Sequence, residues 1–503
     1  MSTFCRVLLF TTFLTAIAVP VLAAEPESLS IVTSNEKLEA AFNWARDKAL
    51  SYVQTGKSGV VDKHERDSPG TGNVAYIPCY WAGYTSRTAF YSRDYCHQAT
   101  GAHLLGLQQE NLSMLKAFAA TSTEGRKWFP LWALNFDGSA FKLDSPKDDY
   151  FVREVPAVFE LVEQCYRQFM WTGNTEYLND PTLWNFCKNA VSDFIELHDT
   201  RIPNGVAEGD GSGDIFRGSA TYNEIESDTP LIESGDGIAC QYQALLSYSK
   251  MLALKGDERK AKDFARRAER LKSFFKDKWG VKKGKKEYVR GYDVKGNAPT
   301  NWGLENSWFI PMKFITEPSG KNDAYLDFIA RCMDSRWGRP SNLEAISYIP
   351  GVFFPYNRVA DAWKWLDYII DQPDKEYPEI SYTLIGHVVE GLLGVEPNAT
   401  GESFSTVSRL PNAIARLEVD NIPLGSHRIN VVHEGVSKTT ATHVSGDKPL
   451  KWEACFYADH STITVAGKEM RAEKKKIHGV KASFVSVDLL AGDSALAEVR
   501  PQK

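Results

Sequence analysis

No Cys-x-x-Cys pair occurs in this 503-residue chain, and no second long apolar run follows the one at its N-terminus. The cysteines, at 5, 79, 96, 165, 187, 240, 332 and 455, are too scattered for a zinc site or a disulfide framework, although one disulfide remains open. Cys96, Cys165 and Cys240 sit in apolar helical pattern, where a thiol acts as a small buried hydrophobe. A basic excess is missing too. The 58 Lys and Arg against 64 Asp and Glu leave a formal charge of -6, which argues against nonspecific nucleic-acid binding. It says little about an anionic sugar, which needs only a local basic pocket. No short exact repeat is visible, so an open solenoid is not indicated.

What is present begins with Arg6, an apolar stretch from Val7 to Leu22, and the small pair Ala23-Ala24. This reads as a secretory signal over residues 1–24, too short for a membrane span. A secreted or periplasmic protein without a membrane span is expected. With 43% hydrophobic and 12% aromatic residues, the remainder can bury a large core.

From about Asn35 to Gly394 apolar helical patterns alternate with more polar ones, starting with Leu38, Phe42, Ala45 and Leu50 in Glu36–Tyr52. Alternation of this kind suggests an inner and an outer ring, the (α/α)6 toroid of paired helices. Past Gly394 the period changes to short strand-like runs separated by Gly, Pro, Asn and Asp. The expected fold is mainly α: a toroid over residues 25–400, which would be the catalytic domain, and a small β-sandwich over 401–503.

Two stretches carry chemistry. In 86–109, Ser92 reads as an N-cap and Arg93, Asp94 and His97 fall within reach of one another on the first turn of an otherwise apolar helix. The connection 199–235 is far longer than a usual helix–helix link. Eight acids lie between Glu208 and Asp236, among them Glu224, Glu226 and Glu233. Glycoside hydrolysis usually needs two carboxyls, one protonated and one ionised. Candidate catalytic residues are therefore Glu224, Glu226 or Glu233 as general acid, with Asp94 or Asp236 activating water or holding sugar hydroxyls. Arg93 and Arg217 suit a sugar carboxylate through their planar fork, with His97 a third donor. Tyr222 is a further substrate contact, and Trp81, Trp302 and Tyr382 are possible sugar platforms, core packing being the commoner fate of such residues. Asp210-x-Ser212-x-Asp214 resembles the start of a calcium loop but lacks the remaining ligands and the closing Glu, and His387-x-x-Glu390 is too weak for a metal site. No metal and no cofactor are expected.

The chain resembles the six-hairpin glycosidases in Tyr91-Ser-Arg-Asp-Tyr-Cys-His-Gln98, in Glu233-Ser-Gly-Asp-Gly237, and in Gly386-His-Val-Val-Glu-Gly-Leu-Leu-Gly-Val-Glu-Pro397. Among these it is most similar to the exported bacterial β-glucuronidase group, glycoside hydrolase family 154. The resemblance implies an exo-acting, inverting hydrolase that removes a terminal uronic acid from an oligosaccharide or polysaccharide. A polysaccharide lyase on the same toroid, with His97 or Tyr222 in proton abstraction, and a secreted glycan-binding protein are the alternatives.

Overall fold

The computed structural model describes residues 28–222, 230–316 and 318–500. The expected signal, residues 1–24, lies outside them, as do Glu224 and Glu226.

One set of helices packs side by side. Ser92–Leu104 contacts Val155–Thr172, which contacts Gly235–Leu254, which contacts Glu305–Met312, which contacts Ile349–Phe353. The short helix Leu343–Ser347, just ahead of the last, packs on Pro378–Gly386, and that helix returns to Ser92–Leu104. The contacts close on themselves. These inner helices are apolar nearly all round: Gly235–Leu254 buries 15 of its 20 residues. The helices Glu36–Ser51, Gln108–Thr121, Pro181–Ala190, Glu258–Phe274, Gly320–Asp334 and Val359–Asp371 alternate with them and are amphipathic. Glu258–Phe274 buries only Ala261, Ala268 and Leu271.

Two corrections to the sequence expectation concern the inner set. Ser92 is not an N-cap but the first helical residue, because Ala89–Tyr91 is a strand paired with Ala133–Asn135 that runs straight into the helix. The pair Leu343–Ser347 and Ile349–Phe353 went unrecognised; each is a turn and a half, with Pro350 opening the second, too short for a 3.6-residue period to show.

Inner helices this close need a glycine at the crossing. A Cβ on Gly101 would overlap the backbone carbonyl of Tyr382. Gly101→Ala is expected to cost about 1–3 kcal/mol or more, since the obstruction is backbone and cannot rotate away; the denaturant midpoint of the variant measures it.

The C-terminal region forms two sheets. Leu450–Tyr457 pairs antiparallel with Val480–Leu489 and parallel with Ser403–Val407 in one; Arg416–Leu424, His427–Glu434 and Lys438–Ser445 form a meander in the other. Ser30–Thr33 joins that meander by pairing with Leu417–Asp420, so the chain enters the β region before it enters the helices. The β region sits on the C-terminal ends of the inner helices. Arg409 Nη1 donates to the carbonyls of Glu390 and Gly391, Gly425 N donates to Trp171 O, and His103 Nε2 lies 3.3 Å from Pro423 O. The Phe314 ring stacks on His478 at 4.1 Å. The helix N-termini are left at the opposite end. All seven described cysteines are free thiols, so the disulfide left open by the sequence does not form.

Candidate active site

Six of the seven inner helices begin with a carboxylic acid or directly follow one, Ile349–Phe353 being the exception. Asp94 is the third residue of Ser92–Leu104, Glu154 precedes Val155–Thr172, Asp236 is second in Gly235–Leu254, Glu305 is first in Glu305–Met312, Glu344 is second in Leu343–Ser347 and Glu379 is second in Pro378–Gly386. Free backbone N–H groups and the helix dipole favour negative charge there. All six are buried.

Arg93 stands among them. Its Nη1 donates to Tyr222 O at 3.1 Å and lies 3.9 Å from Glu154 Oε1, and its Nη2 is 3.6 Å from Glu344 Oε1. The guanidinium also covers the Tyr222 ring at 5.4 Å. Tyr377 Oη donates to Asp94 Oδ1 at 2.5 Å. His97 points deeper, with Nδ1 3.1 Å from Glu379 Oε1 and Nε2 3.3 Å from Glu160 Oε2. Below that the axis is closed by ions: Lys313 Nζ lies 2.6 Å from Glu160 Oε1 and 2.6 Å from Glu163 Oε2, and Tyr222 Oη donates to Glu160 Oε2 at 2.6 Å.

These surroundings set the protonation states. Burial pushes Glu305 up to about 8, against the pull of its own backbone N–H and of Arg93. Burial pushes Glu379 up to about 8 despite His97. Asp94 is raised to about 6 by burial and the Glu344 charge, offset by Arg93 and the Tyr377 hydroxyl. For His97 burial lowers the value, but Glu379 and Glu160 outweigh it and raise it to about 10, so the ring stays charged. Glu160, which burial would raise, is held well below the usual carboxylate range by Lys313 and His97. At neutral pH the ring therefore holds protonated and ionised carboxyls side by side. Glu305 retains 7% exposure, whereas Glu379 is fully buried against His97.

The structure brings Arg93, Asp94, His97, Tyr222 and Asp236 to this end of the ring; Glu224 and Glu226 lie outside the described residues. Asp236 is committed to the chain around it, accepting from Thr221 Oγ1, Tyr222 N and Gly237 N at 2.8, 2.7 and 3.1 Å. These bonds tie Asp236 to the loop that carries Thr221 and Tyr222. Glu233 is fully buried, and its carboxylate accepts from Trp279 Nε1 at 2.5 Å and Asn204 Nδ2 at 2.8 Å. Burial raises it to about 7, against the pull of Trp279 and Asn204. Arg217 is exposed, its amide bound to Asp214 O, away from the Arg93 cluster. Tyr382 is no platform: it is fully buried, with its hydroxyl on Ala49 O. Trp81 and Trp302 are half-buried and anchored through Nε1 to Arg87 O and Gly338 O, with rings packed on Phe136 and Trp308. Among the described residues no three His, Cys, Asp or Glu side chains are grouped to hold a metal ion.

Glu305, Glu344, Glu379, Glu154 and Glu160 were missed as site residues. Four of them stand at the start of an inner helix; Glu160 lies in the second turn of Val155–Thr172.

No protein-family model matches this sequence, and no curated protein does. Solved structures do. An α-L-rhamnosidase from Dictyoglumus thermophilum superposes with a TM-score of 0.58 at 12% identity, covering 94% of this chain and 50% of its own. A GH78 family rhamnosidase of Bacillus sp. GL1 gives 0.57 at 11%, covering 84% and 41%, and a sialidase gives 0.51 at 12%, covering 81% and 38%. The chain shares their fold. It spans half or less of the length of each of these three proteins. No helix among the described residues is long and apolar enough to cross a membrane.

Proposed function

We propose that this chain is an exported, exo-acting glycoside hydrolase on an (α/α)6 toroid, with residues 1–24 a signal, 25–400 the catalytic domain and 401–503 a β-sandwich. The observation that carries the reading is the carboxyl ring at the helix N-termini, in which Glu305, raised to about 8, and the more acidic Asp94, raised to about 6, both interact with Arg93 and Glu344. Glu305 gives its proton to the glycosidic oxygen as the C–O bond breaks. Asp94, with Glu344 across Arg93, takes a proton from the water whose oxygen attacks the anomeric carbon. Closure of the axis by His97, Glu160 and Lys313 supports a dead-end pocket and hence attack on a chain end.

The inverting course follows the family resemblance and is tested by the anomer released first, read by NMR. For the sugar, a terminal uronic acid of the β-glucuronide kind is one reading, with Arg93 as its carboxylate partner. Arg93 already faces Glu154 and Glu344, so a neutral sugar makes the smaller electrostatic demand. Rhamnosidases among the structural neighbours favour it as well. Aryl β-glucuronide, α-rhamnoside and β-glucoside assayed in parallel decide between them; turnover of none counts against the hydrolase. The lyase reading loses its base, because His97 is held charged and the Tyr222 hydroxyl, raised well above its ordinary value by burial, donates to Glu160.

A pH profile follows. Activity needs Asp94 ionised, which comes as pH rises through about 6, and Glu305 protonated, which is lost as pH rises through about 8. kcat/KM is therefore expected to be bell-shaped with its maximum between those values. A profile rising monotonically to pH 9 would exclude Glu305 as the acid.

A further inference from the structure

Aromatic side chains are mostly buried in this protein, and the exceptions are not scattered. Among the described residues the exposed large aromatics are Tyr84, Tyr150 and Trp337, at 47%, 39% and 92%. All three lie on connections that run from an outer helix into an inner one: Tyr84 ahead of Ser92–Leu104, Tyr150 ahead of Val155–Thr172, Trp337 ahead of Leu343–Ser347. They share the end of the ring that holds the carboxyls, opposite the β region. Each is also tied to the interior. The Tyr84 ring meets Tyr377 edge-on at 5.5 Å, and Tyr377 donates to Asp94. Tyr150 stacks on Phe216 at 5.0 Å. Gly338, next to Trp337, accepts from Trp302 Nε1 at 2.7 Å, and Trp302 packs at 5.6 Å on Trp308 of the helix that begins with Glu305.

Flat amphipathic rings in water at the carboxyl-bearing end of the ring match the apolar C–H faces of pyranose rings, which leave their hydroxyls free for polar neighbours. Trp337 is the most exposed of the three, with Arg336 over its ring at 5.6 Å. We infer that Trp337, with Tyr84 and Tyr150, forms a binding rim for the carbohydrate chain on the leaving-group side of the scissile bond. The natural substrate is then an oligosaccharide or polysaccharide end, not a glycoside of a small aglycone. This rests on the hydrolase reading for what the pocket does, but the binding itself does not require it.

The test compares Trp337→Ala and Trp337→Tyr with the wild type on an aryl monoglycoside and on an oligosaccharide of four to eight sugars ending in the same residue. The expected result is a tenfold or greater loss of kcat/KM on the oligosaccharide for Trp337→Ala, carried by KM. The aryl glycoside should change less than twofold, and Trp337→Tyr should retain most of the oligosaccharide activity. Equal effects on both substrates, or none on either, overturn the proposal. Intrinsic fluorescence titrations with pectin- and hemicellulose-derived oligosaccharides of the same lengths separate the two readings. Binding that Trp337→Ala weakens tenfold, without turnover of any glycoside, sinks the hydrolase and keeps the rim. Turnover of the oligosaccharide untouched by Trp337→Ala sinks the rim and keeps the hydrolase. Failure of the wild type to bind or cleave any of them sinks both.

Discussion

Glu305→Gln is expected to lower kcat/KM on an oligosaccharide or alkyl glycoside by about 10²–10⁴, the range for loss of a general acid. The amide keeps the shape and burial of the carboxyl but has no proton to give. An aryl glycoside whose phenolate leaves readily needs little protonation, so the same variant should retain far more of its activity there. That contrast separates an acid from a residue that merely shapes the pocket, which would lower both. The first-residue position of Glu305 places free N–H groups beside it, which alone would favour the ionised form. Burial among Glu344 and Asp236 outweighs that pull, and the carboxyl stays protonated to about 8.

Lys313→Met carries the largest expected effect on stability, about 3–5 kcal/mol, the usual cost of leaving buried charges without their partner. Lys313 is 5% exposed and its ammonium is shared by Glu160 and Glu163, each at 2.6 Å. Met keeps the length and volume of the stem, so the loss measures charge and not packing. Adding Glu163→Gln should restore part of the midpoint in urea unfolding, because it removes one uncompensated carboxylate; a double variant no more stable than the single one would contradict the pairing. The sign with pH follows from Glu160. Its folded value lies below the ordinary one, so its contribution is present above about 4.5 and is lost as pH falls below that. In Lys313→Met this acid-side loss should be smaller.

Much of the fold and one wall of the site were legible in the sequence. The change of period after Gly394 marks where the strands gather. Arg93, Asp94 and His97 do share the first turn of an inner helix. Their partners could not be read, because each comes from a different helix: Asp94 meets Tyr377, Arg93 meets Glu154 and Glu344, and His97 meets Glu160 and Glu379. Nothing in linear spacing links positions 94, 154, 305, 344 and 379. Acid density was the misleading signal. Glu208, in the densest stretch, is used up on the amides of Thr200, Arg201 and Ile202, and Glu233 on Trp279 and Asn204. Glu305, the proposed acid, stands between Trp302 and Trp308, in a segment whose aromatic character pointed to stacking. Glu344 was hidden by the brevity of its helix.

The pH dependence of kcat/KM for Glu305→Gln, set beside that of the wild type, tests the central claim most directly. A glutamine in this place leaves Asp94 to titrate alone, so the rise through about pH 6 should remain while the fall near pH 8 disappears. If the fall near pH 8 persists unchanged in the variant, the proton belongs to another group and the assignment of Glu305 as the acid is wrong.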